Sequence, residues 1–373
     1  MKVVILHPPL YPTNHKFFNE LGKHMDLVVF CFGNHPGLHD QWKAKHFVDP
    51  KNNYVLRIID GKTNLRRKAV SYRTQLNPTF LLQVKKEKPD VVISIAFWFP
   101  SLYMSLFKPL FKCKFLIMTD AIEQTEKNSS AFRNALRRVI AKNVDAFIAC
   151  SDLTVSYLKG KFPNRPIRKS FQTIDVLEWQ NDIENLPSKT LLRQKLNLPK
   201  EKTIILSIGN FIPLKNLEKL IDNVISIPNC ELLLIGEGEL KQHFETKIKN
   251  NDVAHKIKLI PRQGRDELKQ YYKVSDVFVF PSNRDTFGYV VLEALASGLP
   301  VVCSKNAGAS SIIQDGENGF VVNPKDDFTN EISAVISKLS EMKSKTQNSV
   351  ASYTLANRAN EFSDMMDTII KKQ

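Results

Sequence analysis

Two carboxylates and a lysine are the side chains of this sequence best placed to do chemistry. Asp285 and Glu293 lie eight residues apart, and Lys215 stands well upstream, just after a strand-like run that ends in Gly209-Asn210. A carboxylate accepts hydrogen bonds from two neighbouring hydroxyls, which suits a sugar or a ribose. An ammonium beside a helix start suits a phosphate, because the unpaired N–H groups and positive dipole end there already favour an anion. One acid ahead of a helix and one in its second turn could hold the two ends of a ligand whose phosphates rest at the helix start. Taken singly, a loop Asp, a helix-surface Glu and a lysine in a lysine-rich chain are ordinary solvated groups. The elements around them must decide.

Those elements alternate in a regular way. Val277 to Phe280 is an apolar run that ends at Pro281 and reads as a buried strand. A polar loop follows, Ser282 to Gly288, containing Asp285, Thr286 and Phe287. Tyr289 to Ser297 has helical composition, with Gly298 as its stop. The N–H groups from Phe287 through Gly288 and Tyr289 to Val290 would face the anion site, and Gly288 would let a ligand approach the backbone. Upstream, Thr203–Ile208 is a strand ending at Gly209-Asn210, with Lys215 ahead of a helix from Leu217. Cys230–Ile235 ends at Gly236-Glu237-Gly238, Ile257–Ile260 ends at Pro261-Arg262-Gln263, and Val301–Cys303 is the next strand. Strands alternating with helices imply a parallel sheet, whose ligands gather at the carboxyl ends of the strands.

Asp285, Phe287-Gly288, Glu293-Ala294, Ala296, Gly298 and Pro300-Val301-Val302 together resemble the signature of family 4 glycosyltransferases, retaining enzymes of the GT-B fold. The first acid of that signature is usually Glu, so Asp285 keeps the charge with one methylene less. Gly209 and Lys215 resemble the family's Gly-Arg, four residues, Lys segment, with Asn210 where the Arg stands; Lys219 is the nearest basic residue to replace it. The resemblance is specific over Thr203 to Phe320. It implies two Rossmann-like domains (α/β) facing across a cleft, with a C-terminal helix crossing back to the first. It implies transfer of a hexose-type sugar from a nucleotide-diphosphate sugar, with retention, to a glycan or lipid-linked acceptor, as in cell-surface polysaccharide synthesis. Within it, Lys215 neutralises the leaving diphosphate, Asp285 holds sugar hydroxyls and Glu293 the ribose. Gly209, Asn210, Gly236, Arg262, Gln263 and residues 286–290 complete the donor site, the turn at Arg262-Gln263 meeting the base.

The first half carries the resemblance only loosely. Val3–Leu6, a helix from about Lys16 and Leu27–Phe32 make a strand-helix-strand unit. His7, Asn14 and His15 in the loop between them are acceptor-binding candidates, with plain loop histidines as the alternative. Val91–Ile95, Phe115–Met118 and Ala146–Cys150 are further strands. Asp120 and Glu123 follow the second of these, and one or the other is the nearest substitute for a His that the resembled family often carries there; Asp120 is the first-domain catalytic candidate. The expected boundaries are an acceptor domain at 1–178 with a crossing helix at 353–373, a linker at 179–187 and a donor domain at 188–350.

The sequence has 373 residues, 43% of them hydrophobic, enough for two cores. No apolar run approaches the ~18 residues of a membrane span. Met1-Lys2 runs directly into the first strand rather than a signal peptide, and five scattered cysteines read as reduced thiols, which together place the protein in the cytoplasm. A net charge of +15 draws it toward anions. The basic stretch Leu65–Arg73 and the aromatic-lysine stretch Ala96–Phe115 fit a peripheral site at the membrane's inner face, or a solvated helix and an ordinary core helix. Nucleic acid is excluded as a partner by the lack of any recognition motif or stacking platform. No cofactor and no metal are expected, since lysine and helix dipole would meet the leaving phosphate and no carboxylates cluster at a strand end. Two other functions fit the same residues: a hydrolase or epimerase of the nucleotide-sugar, and a basic binding protein with no enzymatic role.

Overall fold

Strand β1 (Lys2–His7) shows how the first sheet is built. Val3 and Ile5 enter one apolar cluster, Val4 and Leu6 another. Side chains alternate across a strand, so a continuous apolar run buries both faces. In a computed structural model of the chain, which describes residues 1–8, 10, 12–32, 48–59 and 78–371, two sheets follow this rule.

The chain divides into two units, Met1–Gln172 with Leu355–Gln373, and Thr173–Thr354. In the first, β2 (Asp26–Phe32), β3 (Val55–Ile59), β4 (Val91–Ile95), β5 (Lys114–Thr119), β6 (Ala146–Ala149) and β7 (Ile167–Lys169) join β1 in the order β3-β2-β1-β4-β5-β6-β7, every pairing parallel. Its helices are α1 (Pro12–Leu21), α2 (Phe80–Glu87), α3 (Phe99–Leu106), α4 (Glu123–Glu126), α5 (Ala131–Ala141) and α6 (Asp152–Lys161). Ser130 and Ser151 cap α5 and α6 by accepting the N–H three residues on.

The second unit opens with α7 (Val176–Glu184) and α8 (Lys189–Lys195), capped by Asp175 and Ser188. Strands β8 (Thr203–Ile208), β9 (Cys230–Ile235), β10 (Ile257–Ile260), β11 (Val277–Phe280), β12 (Val301–Ser304) and β13 (Gly319–Val322) form a parallel sheet in the order β10-β9-β8-β11-β12-β13. Around it lie α9 (Leu217–Ile225), α10 (Lys241–Asn250), α11 (Arg265–Val274), α12 (Tyr289–Ala296), α13 (Thr329–Ser337) and α14 (Leu339–Asn348). The chain then returns to the first unit as α15 (Leu355–Lys371), which packs on α1. Phe362 meets Phe17 edge-on at 5.8 Å, and the Arg358 guanidinium lies 3.8 Å over the Phe17 ring.

Three expectations change. The first helix starts at Pro12, not near Lys16, since proline fits a helix's first turn. The stretch expected as a linker, 179–187, is mostly α7. Val176, Trp179 and Ile183 form a helical stripe inside the second core, with Trp179 wholly buried against Tyr272 at 5.5 Å. The Ala96–Phe115 aromatics largely face inward. Phe115 is buried, Phe97, Trp98, Tyr103 and Phe111 pack against the first core, and the Trp98 indole donates to Ser94 Oγ at 2.9 Å. The basic stretch Leu65–Arg73 lies outside the described residues.

Candidate active site

The second unit's site forms where two strand exits meet. β8 and β11 are neighbours in the sheet, so the loops leaving their carboxyl ends lie side by side. Backbone and side chain stitch them together. The Asn283 N–H donates to Leu214 O at 2.9 Å, Ser282 Oγ donates to the same carbonyl at 3.1 Å, and Asn216 Nδ2 reaches Pro281 O at 3.2 Å. A third segment, after β12, clamps Asp285: its N–H donates to Asn306 O at 3.0 Å and its carbonyl accepts from Gly308 N–H at 3.2 Å.

Within this frame Lys215 Nζ and Asp285 Oδ2 stand 2.6 Å apart, both mostly shielded from solvent. The ammonium also lies 5.2 Å from the centroid of the Phe280 ring. Asp285 Oδ1 accepts the Phe287 N–H at 3.2 Å. The chain then turns through Gly288 at φ 93°, a left-handed conformation that glycine adopts without strain, and enters α12. The expected pair is therefore one ion pair: lysine and acid neutralise each other, and the first of the four N–H groups expected to face an anion already serves Asp285. The Phe287 ring is core, while Tyr289 is exposed and stacks edge-on against it at 5.1 Å. Thr286 and Val290 are half-buried.

Glu293 lies one turn into α12, and Tyr272 of α11 donates its hydroxyl to Glu293 Oε2 at 2.9 Å. Burial pushes the Glu293 carboxyl above the ordinary carboxylate range, opposed by the Tyr272 hydrogen bond and the Arg265 charge. Burial and the neighbouring carboxylate raise the Tyr272 hydroxyl well above its usual value, so it stays a donor. Behind them Trp179 Nε1 donates to Ser297 Oγ at 2.8 Å, and that hydroxyl donates to the Glu293 carbonyl at 2.8 Å. Sequence reasoning missed Tyr272, Trp179 and Asn306. The one trace of Tyr272 is a tyrosine pair inside the otherwise charged helix RDELKQYYKV.

Gly209 underlies the Lys215 stem, and a Cβ at Gly236 would fall 1.9 Å from the Gly209 carbonyl oxygen, so the β9 exit can cross the β8 exit only as glycine. Asn210 is exposed at the same turn. Lys219, the expected replacement cation, is near enough to Asp327 to help lower that carboxyl, after the Thr329 hydrogen bonds. Arg262 and Gln263 follow β10 at the sheet edge, two strands from β8, and Gln263 Nε2 bonds locally to Pro261 O at 2.9 Å.

The first-unit candidates scatter. His7 is the last residue of β1 rather than a loop residue; it is buried edge-on to Phe18, and its Nδ1 donates to Pro8 O. Burial lowers it to about 4, so the ring is neutral at pH 7. Asn14 and His15 sit half-buried on α1, with His15 Nδ1 2.8 Å from the Tyr54 hydroxyl. Asp120 is exposed just past β5, and Glu123 is exposed at the start of α4. Among the described residues no three His, Cys, Asp or Glu side chains gather as a metal site.

Comparison with known proteins places this geometry. Residues 188–354 match the model of the family described as glycosyl transferases group 1. The match lies within the second unit. Its chain is 33% identical over 151 residues to an uncharacterized glycosyltransferase of Methanocaldococcus jannaschii, covering 39% of each protein. It is 28% identical over 158 residues to a lipopolysaccharide core biosynthesis glycosyltransferase of Rhizobium meliloti, covering 40% of this chain and 46% of that one. The matched stretch spans about a quarter to a half of the length of such curated relatives. Over the whole chain the architecture is the GT-B fold. The Anabaena HepE structure solved with UDP superposes with a TM-score of 0.77 at 16% identity over 99% of this chain and all of that one. A sucrose-phosphate synthase from Thermosynechococcus elongatus gives 0.76 at 16% identity over the full length of both chains. No helix among the described residues is long and apolar enough to cross a membrane.

Proposed function

We propose that this protein is a retaining glycosyltransferase that moves a hexose-type sugar from a nucleotide-diphosphate sugar to a glycan or lipid-linked acceptor. The observation that carries the reading is the Lys215–Asp285 pair, held by three loops beside the start of α12, with the half-buried Glu293 one turn further on. In this reading the donor diphosphate takes the Lys215 ammonium and the N–H groups of Gly288, Tyr289 and Val290. Negative charge develops on the phosphate oxygens as the glycosidic bond breaks, and fixed donors there need no reorganisation. Displaced from Lys215, Asp285 accepts hydroxyls of the transferred sugar. Glu293, with Oε2 engaged by Tyr272, offers Oε1 to the ribose. No side chain acts as nucleophile: the acceptor hydroxyl attacks from the face the diphosphate leaves, its oxygen bonds to the anomeric carbon, and its proton passes to the departing phosphate.

Asn210 leaves one cation fewer beside that phosphate, which lowers the rate without changing the chemistry. Asp120, Glu123, Asn14, His15 and His7 remain acceptor-side candidates, with His7 reduced by its burial to a supporting part. Catalysis by lysine and helix dipole without metal belongs to the proposal, as does a peripheral place at an anionic membrane surface. The structural likeness to a UDP complex supports a nucleotide donor, and UDP-sugar or GDP-sugar is the expected class.

Titration of the wild type and Lys215→Ala with UDP, GDP and ADP, without added metal, tests this. Selective binding of one nucleotide that weakens in the variant supports the donor site. Indifference to Lys215 overturns it and moves the basic binding protein ahead.

A further inference from the structure

We propose that the outer surface of α3, the turn after it and α5 is a docking face for an anionic phospholipid bilayer. The proposal deepens the membrane partner named above and rests on that reading, while its test needs no catalysis. α3 and α5 lie against each other: Ser105 Oγ donates to Ile140 O and Asn143 Nδ2 to Ser105 O, both at 2.9 Å. Their inward faces carry Met104, Ile140 and Ala141. α3 and the turn after it expose Leu106, Phe107 and Leu110, and α5 exposes Phe132 and Val139, with Leu110 exposed to 61% and Phe132 to 73%. Residues 99–114 and 131–142 contain seven lysines and arginines and no acid.

The nearby acids are already engaged. Asp145 takes Lys108 Nζ at 2.7 Å and the Phe115 N–H, Asp90 takes the Lys2 N–H, and Glu126 takes Arg133 and Arg137. Lys112, Lys114, Arg138 and Lys142 have no ion pair among the described residues. Lys112 and Lys114 line an open pocket of about 520 Å³ with Lys108, Phe111 and the two engaged carboxylates Asp90 and Asp145, roomy enough for a phosphate headgroup. Large apolar side chains interleaved with unpaired cations are what a bilayer interface accepts: the apolar groups enter the headgroup boundary and the lysines meet lipid phosphate. A second copy of the chain is a poor occupant, because a two-fold contact would press this cationic face on itself. Nucleic acid would leave the exposed Leu and Val side chains unused.

Co-sedimentation with phosphatidylcholine vesicles, with and without phosphatidylglycerol, at low and high salt, decides it. The expected result is binding to the anionic vesicles alone, weakened by salt. Lys112→Glu with Lys114→Glu should weaken it at least ~25-fold, about fivefold per lysine removed. Phe107→Ser with Leu110→Ser should weaken it at least ~10-fold. Circular dichroism checks that both variants fold, and their nucleotide binding should match the wild type, which separates failure here from failure of the donor site. Equal binding to neutral vesicles, no vesicle binding, or full retention by either variant overturns the proposal. So does a wild-type dimer in size exclusion that Phe107→Ser with Leu110→Ser converts to monomer.

Discussion

The two units run the same path and end it differently. In each sheet a central strand is flanked on one side by the next two in sequence and on the other by the fourth, β3-β2-β1-β4 in one and β10-β9-β8-β11 in the other. In such sheets the carboxyl ends of the central strand and the fourth border the ligand crevice. In the second unit those exits carry Lys215, Asp285 and a hydrogen-bonded lattice of Ser282, Asn283 and Asn306. In the first they carry His7, sealed and neutral, and then Ala96, Phe97 and Trp98, tied down by the Ser94 and Ser101 hydroxyls. The backbone supplies the place and the loop supplies the chemistry. A charged, rigid exit suits a ligand part that every turnover presents alike, such as a diphosphate.

The comparison can be broken at its strongest point first. Trp179→Ala should cost the second unit about 3–5 kcal/mol, since it empties the space behind Tyr272 and Ser297. Calorimetry should show one transition falling by roughly 10 °C while the other stays. A joint fall would mean that the units melt as one block. Lys215→Ala should lower sugar transfer about 10²- to 10³-fold. Asp120→Asn, at a first-unit strand exit, should cost tenfold or less, and an equal loss would erase the asymmetry.

His7 sharpens the contrast through pH. Its folded value is depressed from 6.5 to about 4 by burial, so the unfolded chain binds the proton first as pH falls. That contribution to stability is full above the unfolded value and is lost on the way down to the folded one. Urea unfolding should register a loss of about 2.5 kcal/mol at about pH 4.5 relative to pH 7, absent in His7→Gln. A comparably small effect is expected from Tyr272→Phe, about tenfold in nucleotide affinity. Glu293 then rises further, so the acid limb of nucleotide binding should move to higher pH; an unmoved limb would make Tyr272 mere packing.

The apolar strands were legible because both faces are buried and their runs are uninterrupted. β4, β8, β9, β10 and β11 fall where the sequence places them. β3, β7 and β13 did not show. β3 carries Arg57 to an outer pair with Glu87, β7 has three residues, and β13 follows a Gly-rich turn and is a strand only by pairing with β12. α7 read as linker because six of its nine residues are outside the stripe that docks it. Lys215, Asp285 and Glu293 were singled out by their place in the resembled signature, since type and spacing alone fit ordinary solvated groups equally well. Their engagement was not legible: the Lys215–Asp285 contact joins two loops, and Tyr272 reaches Glu293 from another helix, neither of which leaves a periodic trace.

The return of α15 to α1 sets an order of events on the ribosome. Residues 173–354 hold a complete sheet and both its covers, so this portion can fold as soon as it emerges. The first unit, although synthesised earlier, must wait with Phe17 and its neighbours uncovered until residues 355–371 arrive. Nascent chains stalled before Leu355 would therefore offer chaperones the amino-terminal half, not the half most recently made.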